Sequence, residues 1–138
     1  MKIAIIDGQG GGIGKMLVER LKQRLPHVTL IALGTNAMAT AAMLKAGTHE
    51  SATGENAIVY NVKRCQLIMG VIGIVSPNAM MGELTPVMAA AIAESDADKI
   101  LIPYNKCGIV IAGVQGQTMS TLIDSAVELA QRAVSRME

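Results

Sequence analysis

Four apolar residues, Ile3-Ala4-Ile5-Ile6, end at Asp7 and open directly into Gly8-Gln9-Gly10-Gly11-Gly12-Ile13-Gly14-Lys15, a stretch with five glycines in seven residues. A short apolar run bounded by an acid and a glycine fits a strand buried on both faces, as in a parallel sheet. Glycine lets the backbone turn tightly and lets a ligand approach it closely. Helical spacing follows at once: Ile13, Met16, Leu17, Leu21 and Leu25 share one face, Glu19, Arg20, Gln23 and Arg24 take the other, and Pro26 stops the pattern. A helix starting on such a turn aims its free amides, and the positive end of its dipole, at whatever lies beyond the strand.

The same alternation continues along the chain. Val28 to Leu33 reads as a second strand, ended by Gly34-Thr35-Asn36, and Ala37 to Lys45 as a helix stopped at Gly47. Residues 47–56 are the most polar stretch and leave room for a short strand at Glu50 to Ala52. Asn56 to Arg64 is predicted helical, and Gln66 to Val75 is a strand running into a loop. Thr85-Pro86 has the form of an N-cap followed by proline in the first turn, opening a helix to about Glu94. Lys99 to Ile102 and Ile109 to Val114 are predicted strands. Only Pro103 to Gly108 separates them, too little for a crossover helix, which predicts an antiparallel pair. Ser120 to Arg136 closes the chain as an amphipathic helix. The expectation is therefore one α/β domain over residues 1–138. It is a Rossmann-like three-layer sandwich with right-handed crossovers, its sheet mostly parallel and its edge strand antiparallel.

Composition narrows the partners. A net charge of +1 with no basic block argues against nucleic acid. No apolar run reaches the roughly 18 residues of a membrane span. Cys65 and Cys107 stand far apart, and free thiols point to the cytoplasm. Apolar residues make up 51% of 138 positions, and a chain this small has much surface for its volume. Some of that apolar surface needs cover, and a homo-oligomer is the simplest source.

The glycine turn points to a small phosphate-bearing ligand, and the expected contacts are Gly8, Gln9, Gly10, Gly11, Gly12, Ile13, Gly14 and Lys15. The spacing GxGxxG fails, because Ile13 or Lys15 falls where the last glycine belongs. The form GxxxGxG fits through Gly8, Gly12 and Gly14 and is similar to the turn of short-chain dehydrogenases. The catalytic Tyr-x-x-x-Lys of those enzymes is missing, since Tyr60 is followed by Arg64 in the lysine place. A Walker loop fails at Gln9 and at Met16, although Gly11 to Lys15 resembles the deviant loop of ParA/MinD-type ATPases. NAD and NADP are the cofactors to consider first. Yet Leu33-Gly34-Thr35-Asn36 offers neither the acid that holds an NAD ribose nor the arginine that holds an NADP phosphate. Thr35 and Asn36 are equally suited to bond a ribose or phosphate and to cap the next helix. Asp7 beside the turn would repel a phosphate unless backbone bonds hold it, and its expected role is to anchor the loop.

Other candidates are weaker. His49, Glu50, Ser51, Thr53, Glu55 and Asn56 share one polar loop, which suits a site or a merely solvated turn. His49 has no second His or Cys at ligand spacing, so no metal site is expected. Cys107 next to Lys106 has no histidine to form a dyad, and Cys65 reads as core. Three readings stay open: a nucleotide-binding protein, an enzyme using such a ligand through Asn36, the 49–56 loop and Asn105, and an interaction protein with an empty turn.

The glycine turn, Gly34-Thr35-Asn36, Ala42 to Gly47, Ala52 to Ala57 and Pro103-Tyr104-Asn105-Lys106-Cys107 together resemble a family of short bacterial proteins known only as a domain of unknown function. The resemblance runs the length of the chain. It implies a Rossmann-like fold and brings no reaction, substrate or catalytic residue.

Overall fold

The computed structural model describes residues 1–104 and 108–138. Five strands, β1 (Lys2–Asp7), β2 (Thr29–Gly34), β3 (Glu50–Thr53), β4 (Leu67–Val71) and β5 (Asp98–Ile102), form one sheet in the order β3-β2-β1-β4-β5. All four pairings are parallel. Five helices connect and close it: α1 (Gly12–Arg24), α2 (Ala37–Ala46), α3 (Glu55–Asn61), α4 (Pro86–Glu94) and α5 (Met119–Met137). A single 3-10 turn, Ile72–Val75, continues β4. The order is that of the first five strands of a doubly wound dinucleotide-binding sheet.

Burial explains the sequence pattern. Alternate residues of the central strands feed two cores, one on each face of the sheet. Ile3, Ile5, Leu30, Leu67 and Met69 meet α1, α2 and α5 through Leu17, Leu21, Met43, Ile123 and Val127. Ala4, Ile6, Leu33 and Ile68 meet α3 and α4 through Ile58, Val62, Met88 and Ile92. Strands buried on both faces have no polar side to show, which is why they read as unbroken apolar runs.

The predicted antiparallel edge is corrected. β5 runs parallel to β4, and Ile109 to Val114 form no strand among the described residues. Gly108, Gly113 and Gly116 all take positive φ. The Gln115 side chain closes a turn by accepting from the Gly113 amide at 3.1 Å and donating to the Ile111 carbonyl at 2.8 Å. Val110 is 72% exposed, so the apolar run lacks the cover a strand would need. Asn105, Lys106 and Cys107 lie outside the described residues. No helix of the described residues is long and apolar enough to cross a membrane.

Apolar side chains also stand in solvent. Val87 of α4 is about half exposed with Ala90 beside it, as is Leu44 of α2, and Met38 of α2 more so. The chain is expected to self-associate over such faces. Sedimentation velocity at micromolar concentration should show a dimer or larger, and a single monomer boundary would reject the expectation.

Candidate functional site

The chain leaves β1, builds β2 and β3 on one side, and returns to the other side with β4. The reversal lies between β1 and β4, and in open parallel sheets a crevice forms beyond the carboxyl ends of the strands there. A cavity of about 530 Å³ occupies that place, walled by Gly8, Gly12, Ile13, Val71, Met80 and Tyr104 among others. A larger hollow of about 940 Å³ lies at the opposite end of the sheet, between Val62, Cys65, Ala91 and Asp98. It faces strand starts, beside the C-terminal ends of α3 and α4.

The glycine turn divides into positions that shape it and positions that leave space. Gly11 has φ +73, and a Cβ there would stand 2.9 Å from the Ala39 Cα. At Gly14 a Cβ would press on the buried Met43 sulfur at 2.6 Å and on Asp7 at 3.0 Å. These two glycines let α1 settle against α2 and β1. Gly10 and Gly12 differ, with nothing within 4 Å of a Cβ. Gly8 lies under another part of the chain, since its Cβ would meet the Met80 sulfur and the Thr35 hydroxyl, each at 2.6 Å.

Asp7 anchors this loop. Its two carboxylate oxygens accept from the Gly8 amide at 2.8 Å and the Gly14 amide at 2.7 Å. One free amide of α1 is thereby used by the chain itself. The amides of Gly10, Gly12 and Ile13 have no partner among the described residues. Burial is the main reason the Asp7 carboxyl titrates above its ordinary value. The Gly14 and Gly8 amides oppose that rise, and the Glu83 charge adds to it. Lys15 is exposed, makes no side-chain hydrogen bond or ion pair among the described residues, and does not line the cavity.

Thr35 and Asn36 are brought beside Gln9, and they face a group the sequence did not reveal. Asn36 caps α2 by accepting from the Ala39 amide at 2.9 Å. Its amide nitrogen donates to the Gln9 carbonyl at 3.0 Å and to Glu83 Oε1 at 2.7 Å. The same oxygen accepts from the Thr35 hydroxyl at 2.8 Å and the Gln9 amide at 2.8 Å. Glu83 thus closes the β2 side of the turn from a segment far along the chain. The Gln9 amide is the chief reason its carboxyl titrates below the ordinary value of 4.5; Asn36 and Thr35 add to this, and partial burial works against it.

The two carboxylates therefore carry opposite pH dependence. A lowered folded value stabilises above pH 4.5, and that contribution is lost as pH falls through the folded value. For Asp7 the raised value stabilises below its ordinary 3.8 and is lost as pH rises through the folded value. Glu83→Gln is expected to cost about 1 kcal/mol at neutral pH, a figure discounted for solvent. That deficit should shrink when urea unfolding is repeated below pH 4. A deficit equal at both pH values would show that the Glu83 charge is not what the three donors hold.

The 49–56 segment is no loop over this site. It forms the edge strand β3 and enters α3, and His49 is used on backbone, accepting from the Leu30 amide at 3.0 Å. Cys65 is buried, and burial pushes its thiol up. No group of three or more His, Cys, Asp or Glu among the described residues is placed to hold a metal.

Comparison with known proteins gives the family. No curated protein matches the chain. Among solved structures, the dodecameric FMN-dependent Ubix-like decarboxylase from Escherichia coli O157:H7 is similar with a TM-score of 0.48 and 13% identity, over 99% of this chain and 94% of that one. At that level the likeness says nothing of a ligand. The family model described as Domain of unknown function (DUF3842) matches residues 2–135, and the chain belongs to that family.

Proposed function

We propose that this protein binds a nucleotide or dinucleotide, with a phosphate held at the backbone amides of Gly10, Gly12 and Ile13. The observation that carries this reading is that these amides are unpartnered where α1 begins and that Gly12 and Ile13 line the cavity between β1 and β4. A buried strand, an open turn and a helix N-terminus converge on one space, and backbone donors there favour an anion. Asp7 is held by two amides and so directs the loop without reaching for the phosphate. Lys15 sits in the first turn of α1, where its charge opposes the helix dipole by about 0.3–1 kcal/mol. A bound phosphate removes that conflict. A cavity of about 530 Å³ suits a nucleotide-sized ligand.

Titration calorimetry with ADP, ATP, NAD and NADP is the test, and at least one should bind with a Kd below about 1 mM, or −4 kcal/mol. Absence of heat with all four at millimolar concentration would remove the nucleotide reading. A protein that binds without turnover is the economical form of the proposal. Among the described residues the glycine turn is met by no acid besides Asp7, whose two oxygens each accept a backbone amide, and Glu83, whose Oε1 accepts three donors.

A further inference from the structure

Glu83 takes three hydrogen bonds on a single oxygen, from the Gln9 amide, the Thr35 hydroxyl and the Asn36 side-chain amide, at 2.7–2.8 Å. The donors come from two separate turns, after β1 and after β2. Three convergent donors suit a charged oxygen, since charge-assisted bonds are the short, strong ones. We propose that these three groups are an oxyanion subsite adjoining the ligand cavity, which Gln9 also lines, made for a phosphoryl or carboxylate oxygen, and that Glu83 is its built-in competitor. This rests on the phosphate-binding reading above and adds a second anion position to it, on the β2 side of the turn.

The segment carrying Glu83 has the character of a strap. It crosses the end of β1, with the Met80 sulfur and Glu83 Oε1 lying 2.6 and 3.2 Å from where a Gly8 Cβ would be. Asn78, Met80 and Met81 all hold left-handed backbone, at φ 64, 59 and 57. That conformation is costly for a residue with a Cβ, and more so for Met than for Asn. The Met81 side chain is 97% exposed and repays nothing by packing. The strap is turned on itself by short bonds, Gly82 N to Asn78 O at 3.1 Å and Glu83 N to Met80 O at 3.2 Å. It holds the glycine turn through the Glu83 carboxylate and through Met80 over Gly8, and it is tied to the core by Ala79 and Leu84. While Glu83 is seated, a ligand in the cavity reaches Gly12 and Ile13, but the donors of Thr35 and Asn36 are taken. An incoming oxyanion replaces the carboxylate on the same donors, and the left-handed backbone at Met80 and Met81 relaxes as Glu83 swings out, while Ala79 and Leu84 stay in the core.

The experiment is a titration of isotope-labelled protein with inorganic phosphate, and separately with acetate, at constant ionic strength. The backbone amides of Gln9 and Gly12 are followed by NMR in wild type, Glu83→Ala, Glu83→Gln and Met81→Asn. In Glu83→Ala the Gln9 amide should saturate with phosphate at a concentration at least tenfold lower than in wild type, with Glu83→Gln between the two. Met81→Asn tolerates the left-handed backbone better, seats the strap more firmly, and should weaken the Gln9 response about threefold. A stronger effect of Glu83→Ala on acetate than on phosphate assigns the subsite to carboxylates, and the reverse assigns it to phosphates. A Gln9 midpoint that stays the same or rises in Glu83→Ala overturns the proposal, because Glu83 would then be structural or would itself contact the ligand. If Glu83→Ala does not fold, unchanged midpoints in both Glu83→Gln and Met81→Asn overturn it equally. The Gly12 amide reports separately: its silence in wild type ends the reading of the glycine turn, while Gln9 still decides the role of Glu83.

Discussion

Alanine at position 34 is expected to lower the stability of the protein by about 3 kcal/mol, a large fraction of what a domain of this size has. Gly34 is the last residue of β2, and the chain folds back over it to start α2. A Cβ there would stand 2.7 Å from the Thr40 amide nitrogen and 2.8 Å from the Asn36 carbonyl oxygen, and would overlap the Thr40 hydroxyl. Two of those three atoms are backbone and cannot rotate away. Relief requires the first turn of α2 to move off the sheet. That movement breaks the Thr40 bonds to the Asn36 carbonyl and from the Thr53 hydroxyl. It also carries Thr35 and Asn36 away from Gln9 and Glu83. The thermal midpoint should fall by roughly 10 °C. Gly10→Ala is the matched control, since nothing lies within 4 Å of its Cβ, and it should stay within about 0.5 kcal/mol of wild type. Calorimetric melts of the two variants give the answer, and equal midpoints would show that the β2–α2 turn yields more easily than its geometry states.

These glycines show what local pattern can reveal. The order of strands and helices was legible because central strands are apolar on both faces and helices on one, and those periods survive in the bare sequence. The alternation β1-α1-β2-α2 by itself places Gly8 to Lys15 and Thr35-Asn36 at the carboxyl ends of neighbouring strands. The Ile109–Val114 run misled because an apolar segment between glycines has the composition of a strand, and whether anything pairs with it is decided by distant neighbours. Glu83 was out of reach for a related reason. It meets Gln9 across 74 residues of chain and Thr35 across 48. It stands just before Thr85-Pro86, where an acid reads as ordinary approach to a helix. The turn after β2 carries no acid of its own, and Glu83 reaches it from between β4 and α4, on the other half of the sheet. Nor does the count of glycines tell their roles apart. Gly11 and Gly14 are fixed by contacts with α2, Met43 and Asp7, while Gly10 and Gly12 face open space.

That division makes Gly12→Val the decisive variant for the site. Position 12 is the first residue of α1, and a helical Cβ points back toward the N-terminus, into the space where an anion would meet the amides. Nothing beyond its own helix and chain neighbours lies within 4 Å of that Cβ, so a valine side chain starts out into open space. Its cost to the fold is helix propensity alone, below about 1 kcal/mol. Its cost to a ligand is much larger. The two γ-methyls occupy the approach to the Gly12 and Ile13 amides, and a phosphate kept from both loses charge-assisted bonds worth about 1.5–3 kcal/mol each. Affinity for whichever nucleotide the wild type takes should fall at least about 100-fold, while circular dichroism and the thermal midpoint stay near wild type. Gly14→Val is the opposing case. A side chain there meets Met43 and Asp7, so it should lose stability first and binding only as a consequence. Calorimetric titration beside thermal melts separates the two patterns. If Gly12→Val binds as tightly as wild type, the phosphate lies elsewhere in the crevice and the open glycines serve only the turn.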